Sequence, residues 1–397
     1  MTTFRLSLVI TALALIAACT ADSDETEPEP VDRLVILDTD GRVVTTAPDG
    51  SGIEVLSAAD DVAFQPIWST DGTKVAYASI VEGGVTVVET GSAARTHVTT
   101  DVSPFYLYWS PDNARIAALR NSAGGIALEM VTVSGGDLAT TVVDTGAPYY
   151  LSWSPESDEL VVHVGTDRLD VLDVSGEATP LDVPPGLFLA PHWVEPGIVS
   201  SRTNGGVNEL VLLGGDGEVQ AIAVHPGAVT FASDPTGQRI AVQPIGGDSQ
   251  GDVIDAAFQA GPLLDEPLAS ERLQIIDIEA GAVSTVTDVP AVAFFWGPHG
   301  EQLLVLDIES EGRLSWSVWR DGELTAGPEF TPDGSWTQSF LPFYDQYARS
   351  MTLWSPDGNA FAFPGERDGE PGIWVHDVGS GETVKVADGT WVAWSHS

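Results

Sequence analysis

Short apolar runs, such as "KVAYAS" at 74–79 and "RIAALR" at 115–120, alternate along the chain with turns rich in Gly, Pro, Asp and Ser. Runs of this length, alternating or wholly apolar between turn signals, predict strands. No long window keeps the 3.6-residue beat of an amphipathic helix, so helix should be scarce. The expected fold class is all-β.

The turns are not random. The unit Trp-Ser-Pro-Asp-Gly, or a close variant, precedes an apolar strand in "IWSTDGTKVAYAS" from Ile67, "YWSPDNARIAALR" from Tyr108, "SWSPESDELVVHV" from Ser152 and "LWSPDGNAFAFPG" from Leu353. Degenerate copies start at His192, Ala232 and Phe295, and a truncated one, "VAWSHS", ends the chain. Within the unit, Pro presets φ for a turn, Asp accepts a turn N–H, and Gly supplies the left-handed position. The anchors fall at 68, 109, 153, 193, 233, 296, 354 and 394, so successive spacings are 41, 44, 40, 40, 63, 58 and 40. A period near 40 with four short strands per unit predicts a β-propeller. Eight anchors favour eight blades; seven is the alternative if one degenerate copy is spurious. The segment 33–57 reads as strands two to four of a blade and 390–395 as a first strand, so the two ends should complete one blade between them.

These Trp-Ser-Pro-Asp-Gly units followed by strand pairs resemble the TolB-like family of β-propeller repeats, over about 33–397. The resemblance implies the propeller fold and a preference for protein or peptide partners. Similar repeats also accompany α/β domains, in TolB-type proteins and in prolyl-oligopeptidase-type enzymes. Here strands begin within a few residues of a polar tether and only the last anchor precedes the end, so neither α/β domain is expected and neither role is carried over.

The N-terminus reads as an export signal over 1–18. Arg5 is its positive region, and the apolar run 6–16 is too short to span a bilayer. It ends in Ile16-Ala17-Ala18-Cys19, which resembles a bacterial lipobox. Cys19, the chain's one cysteine, is the expected lipidation site and excludes an internal disulfide. An acidic tether, 19–33, follows, and the propeller takes 34–397. The expected location is the cell envelope, either the outer leaflet of the cytoplasmic membrane or the outer membrane facing the periplasm.

Charge narrows the partners. With 16 basic and 58 acidic residues the formal net charge is −42, so phosphate backbones would be repelled and nucleic acid is not an expected partner. The membrane is expected to be met only through the lipid. Cofactor motifs are missing: there is no phosphate loop, no dinucleotide fingerprint, and no histidine pair at zinc-ligand spacing. A divalent cation remains open but unsupported, because "DTDG" at 38–41 and "DPTG" at 234–237 stop short of a calcium loop and read as turns. The single GxSxG, 247–251, sits in a polar loop rather than on a strand-to-helix elbow. No catalytic, cofactor or metal residue is assigned.

Two long spacings contain insertions. One, at about 244–271, lies between strands two and three of the blade anchored at Ser233 and is small and acidic. The other, at about 328–350, follows strand four of the next blade and holds "FLPFYDQYARS". Antiparallel strands send both to one face. Aromatic residues with a lone Arg suit contact surfaces, which makes Trp336, Phe343, Tyr344, Asp345, Tyr347 and Arg349 candidate partner or ligand contacts. The competing reading is a structural plug across the channel. If the stretch is helical, Asp345 and Arg349 stand four apart and can pair. The expected function is a non-catalytic protein- or ligand-binding scaffold at the envelope. The alternatives are a hydrolase or lyase with a site assembled at the channel, and a purely structural envelope protein.

Overall fold

In the computed structural model the repeat folds through its turn. Ser69 Oγ donates to Asp71 Oδ1 at 2.6 Å and accepts from the N–H of Lys74 at 2.9 Å, and Ser355 does the same with Asp357 and Ala360. The left-handed position is Gly72, Gly237, Gly300 or Gly358 in four copies, with φ between +65° and +70°. At Gly358 a Cβ would also stand 2.8 Å from the amide of Gln302, which donates to the Gly358 carbonyl. Two copies put an L residue there, and each does a second job. Asn113, at φ +59°, accepts from the N–H and hydroxyl of Thr70, one repeat earlier; Ser157, at φ +68°, accepts from the N–H of Asp112. The usual cost of this backbone region is offset by lacing one turn to the next.

The structure describes residues 32–205, 207–215, 217–225, 227–245, 264, 268 and 271–396. The export signal, Cys19, most of the tether, the GxSxG and nearly all of the first insertion lie outside the described residues. Among the described residues no helix is long and apolar enough to cross a membrane.

The strands form six four-stranded antiparallel sheets and one of seven strands. In each four-stranded sheet the order follows the chain, apart from one that joins its ends: Trp391–Trp394 pairs with Leu34–Leu37 in register from Leu34 opposite Trp394 to Leu37 opposite Trp391. The seven-stranded sheet is two units fused. Glu323–Pro332 runs on past its own sheet, so that Thr331 and Pro332 pair with Glu366 and Gly365 of the following one. The first strand of that following unit is reduced to a bridge between Trp354 and Phe361.

First strands of most successive sheets lie side by side. The repeat Trp side chains seal those contacts: Trp153 Nε1 donates to the Tyr108 carbonyl at 3.2 Å, Trp296 to Ala232 at 2.8 Å and Trp354 to Phe295 at 3.2 Å. In each case the acceptor is the residue just before the previous anchor. The indoles of Trp68, Trp109, Trp153 and Trp354 are at most 2% exposed, which places the core between sheets.

Candidate functional site

The second insertion packs against the first strands of several sheets. It opens with helix α1, Gly334–Ser339, whose N-cap Asp333 accepts from the N–H groups of Ser335 and Trp336. A 3-10 turn with Pro342 in its first positions follows, and then helix α2, Tyr344–Ser350. Helices this short do not persist alone, and packing holds these two. Rings of Trp316, Trp336, Phe340, Tyr347 and Trp391 form a continuous series with centroids 5.1–6.2 Å apart.

Polar contacts tie α2 to the first strands of several sheets. The Gln346 amide takes both backbone groups of Leu151, receiving its N–H and donating to its carbonyl, each at 2.8 Å. It also donates to Tyr106 Oη at 2.8 Å. Tyr344 Oη lies 2.6 Å from Thr230 Oγ1, Asp345 Oδ2 accepts from the N–H of Ala190 at 3.2 Å, and Arg349 Nη2 donates to the Trp193 carbonyl at 3.0 Å. A first strand has a free edge, and Gln346 supplies the groups a neighbouring strand would have given. Two other glutamines repeat the device between sheets: Gln65 on Leu107 and Gln243 on Ala291.

Of the sequence-stated contact residues, Trp336, Tyr344, Asp345 and Tyr347 are buried, Arg349 is partly buried, and Phe343 is 47% exposed. Asp345 and Arg349 share a helix but form no ion pair among the described residues, because each is drawn to a different backbone group, Asp345 to the N–H of Ala190 and Arg349 to the carbonyl of Trp193. Burial pushes the Asp345 carboxyl above its usual range, against the N–H groups that hold it down.

The plug leaves two concavities. On its outer face a groove of about 420 Å³ is walled by Phe64, Phe105, Tyr106, Tyr149, Tyr150 and Phe188, with Phe343 and Tyr347 from the plug. Tyr150 and Phe188 stack at 4.5 Å with 12° between planes, and His163 tilts against Phe188 at 5.0 Å. Strand runs had hidden this wall. A signal existed in the sequence: Phe64, Phe105 and Tyr149 each stand four residues before a Trp anchor, at the same end of three successive first strands.

Beneath the plug is a channel of about 370 Å³ that opens among the repeat turns on the opposite face. Its floor is Arg349, Ser350 and Met351; its walls include Trp68, Tyr108, Trp109, His192, Phe295, Trp296 and Trp354, and His396 sits at the mouth. Among the described residues no Asp or Glu lines it. His192 Nδ1 accepts the backbone N–H of Ser233 at 3.0 Å, so in the neutral ring the other nitrogen carries the proton. Burial, and secondly Arg349, hold His192 well below the usual histidine range. Burial lowers His396 to about 4.

The other sequence candidates are structural. Asp38 Oδ1 accepts from its own turn at Asp40 and Arg42, and Asp234 from Gln238 and Arg239. His163 and His376 lie in strands, bonded through Nδ1 to the Leu189 carbonyl and to Thr383 Oγ1. Among the described residues no group of three or more His, Cys, Asp or Glu is placed to hold a metal ion.

No protein-family model matches the chain, and no curated protein matches it in sequence. Many solved structures do match in shape. The dihydro-heme d1 dehydrogenase NirN is 14% identical with a TM-score of 0.56, the match covering 92% of this chain and 73% of that one. The β-propeller domain of the Trilobed protease from Pyrococcus furiosus is 14% identical with a TM-score of 0.50, covering 82% and 98%. TolB from Acinetobacter baumannii is 16% identical with a TM-score of 0.40; the match covers 74% of this chain and spans 62% of the TolB chain. At such identities the likeness is one of shape, and its common element with the sheets described above is the fold: the chain is a β-propeller.

Proposed function

We propose that this chain is an eight-bladed propeller, closed by the sheet that joins its two ends, that acts as a non-catalytic binding module anchored to the cell envelope through Cys19. The eight anchors and the seven-stranded sheet, read as two fused blades, support the count. The observation that carries the function is the groove on the plug's outer face. Its eight aromatic residues come from three successive sheets, the connecting segment that holds Phe188, and the plug, and Phe343 stands 47% exposed at its edge. Aromatic side chains in a concave, largely apolar surface are the usual anchors of protein recognition. Asp101 is exposed four residues before Phe105, and the whole chain carries −42. The fitting occupant is a protein segment with an apolar or aromatic anchor and basic flanks. A non-catalytic role fits the channel, whose histidines are held neutral and have no carboxylate beside them among the described lining residues.

The test is cross-linking from washed membranes, comparing wild type with a Phe343→Ser, Phe188→Ser double variant of verified fold. A basic partner captured by wild type and lost from the variant supports the reading; identical capture overturns the groove. Recovery of a Cys19→Ser chain on those membranes in wild-type amount removes the anchor.

A further inference from the structure

The channel beneath the plug is a different site from the groove. Its chemistry is set by Arg349. The chain has 58 acidic residues against 16 basic ones, and most arginines among the described residues have a carboxylate partner. Even a nearly buried arginine elsewhere receives one: Arg120 pairs with Glu129 at 2.6 Å. Arg349 has no ion pair among the described residues. Of its five N–H groups one meets the Trp193 carbonyl, and Nε is buried with no partner. Burying a guanidinium N–H without a partner is costly, and the plug does so with Nε at the floor of an open cavity.

The surroundings complete a pattern. The walls are aromatic, and of the lining hydroxyls those of Thr70, Ser350, Thr352 and Ser395 already serve protein partners. Ser233 Oγ is buried without a partner. His192, on the same wall, is neutral, as is His396 at the mouth. Arg349 is therefore the one formal charge among the described lining residues at neutral pH. The volume lies at the lower end for small-molecule sites, roughly 300–1,000 Å³.

We propose that the channel is a binding site for a small organic carboxylate, with the carboxylate on Arg349 at the floor and a flat apolar body between the aromatic walls. A single guanidinium matches a carboxylate in charge and fork geometry. A phosphate dianion fits less well: no second cation lines the cavity among the described residues, and the field of a chain at −42 penalises a second negative charge.

Benzoate, benzyl alcohol and phenyl phosphate share an aromatic body and differ in charge, so they serve as probes, with titration calorimetry on the full chain. Benzoate is expected to bind once per chain, about tenfold or more tighter than benzyl alcohol, and no weaker than phenyl phosphate. Arg349→Met should reduce benzoate binding by about the same factor. Should that variant fail to fold, Pro235→Trp decides. Pro235 is an exposed turn residue at the mouth, in a position that accepts most residues, and the indole should narrow entry and abolish binding. Absent benzoate binding, binding unchanged in either folded variant, or equal affinity for benzyl alcohol overturns the site. Tighter binding of phenyl phosphate overturns the assignment to carboxylates.

Discussion

Replacing Gln346 by Leu tests whether the plug is held by its backbone clamp or only by its aromatic rings. Leu keeps the approximate volume and removes three hydrogen bonds, at 2.8 Å to Leu151 N, Leu151 O and Tyr106 Oη. Tyr106 keeps an acceptor, because its hydroxyl also lies 3.2 Å from the Gln346 carbonyl. The Leu151 N–H and carbonyl keep none. Leu151 is fully buried, and a buried polar group left unpaired costs about 1–3 kcal/mol. Two such groups imply a loss of about 2–6 kcal/mol, with the lower half expected because Gln346 lines the aromatic groove, which can admit water. That is a large share of the roughly 5–15 kcal/mol by which domains are stable. Urea unfolding followed by tryptophan fluorescence reads the loss, and amide exchange over 334–350 shows whether the plug loosens before the sheets. Gln346→Glu is the companion. Its carboxylate would face the Leu151 carbonyl, so its folded pKa should rise above the unfolded value. The destabilisation should then be strong at neutral pH and shrink as the group is protonated on acidification. A Leu variant within about 0.5 kcal/mol of wild type, with unchanged exchange in the plug, would refute the clamp.

Two further outcomes follow from the same geometry. Trp153→Phe removes the indole's bond to the Tyr108 carbonyl, whereas Trp68 Nε1 has no partner to lose. Trp153→Phe should therefore cost about 1 kcal/mol more than Trp68→Phe, and equal urea midpoint shifts for the two would count against the seal between sheets. Asp307 is half-buried beside Glu309; burial first, and then that neighbour, raise it from 3.8 to about 6, and its Oδ1 is unpartnered. A folded pKa above the unfolded one gives stability that is full below the unfolded value and lost as pH rises through the folded one. Asp307→Asn should flatten this loss between 3.8 and about 6 and stabilise the chain at neutral pH by up to ~1 kcal/mol, after discounting for solvent screening. Unfolding midpoints measured across that window check it.

The local parts of this fold were open to sequence reasoning because they repeat. Trp, Ser, Asp and Gly at fixed offsets each serve a turn a few residues long, and eight copies reinforce one another. The two insertions were placed between the right strands for the same reason. The plug's interior was not legible. Gln346 reads as one more polar loop residue, and its partners at 106 and 151 are far away in sequence; only the packing of separate sheets against the insertion brings them to it. The Asp345–Arg349 pairing failed on similar grounds: a local rule lost to distant backbone groups at Ala190 and Trp193. Gln65 was hidden differently, by a left-handed φ of +48° in a strand that aims its amide at Leu107.

The sheet that unites the two ends also fixes where the chain enters the fold. Leu34 lies opposite Trp394, Asp32 Oδ1 accepts the Trp394 indole N–H at 2.6 Å, and the Arg33 N–H reaches Ser395 Oγ. Ser395 and His396 border the channel mouth. The residues from Thr20 to Asp32 reach about 45 Å when fully extended. On the proposed anchoring, any pull from the bilayer is therefore applied beside the mouth. The channel would then sample molecules held near the membrane surface, while the aromatic groove faces what passes on the far side.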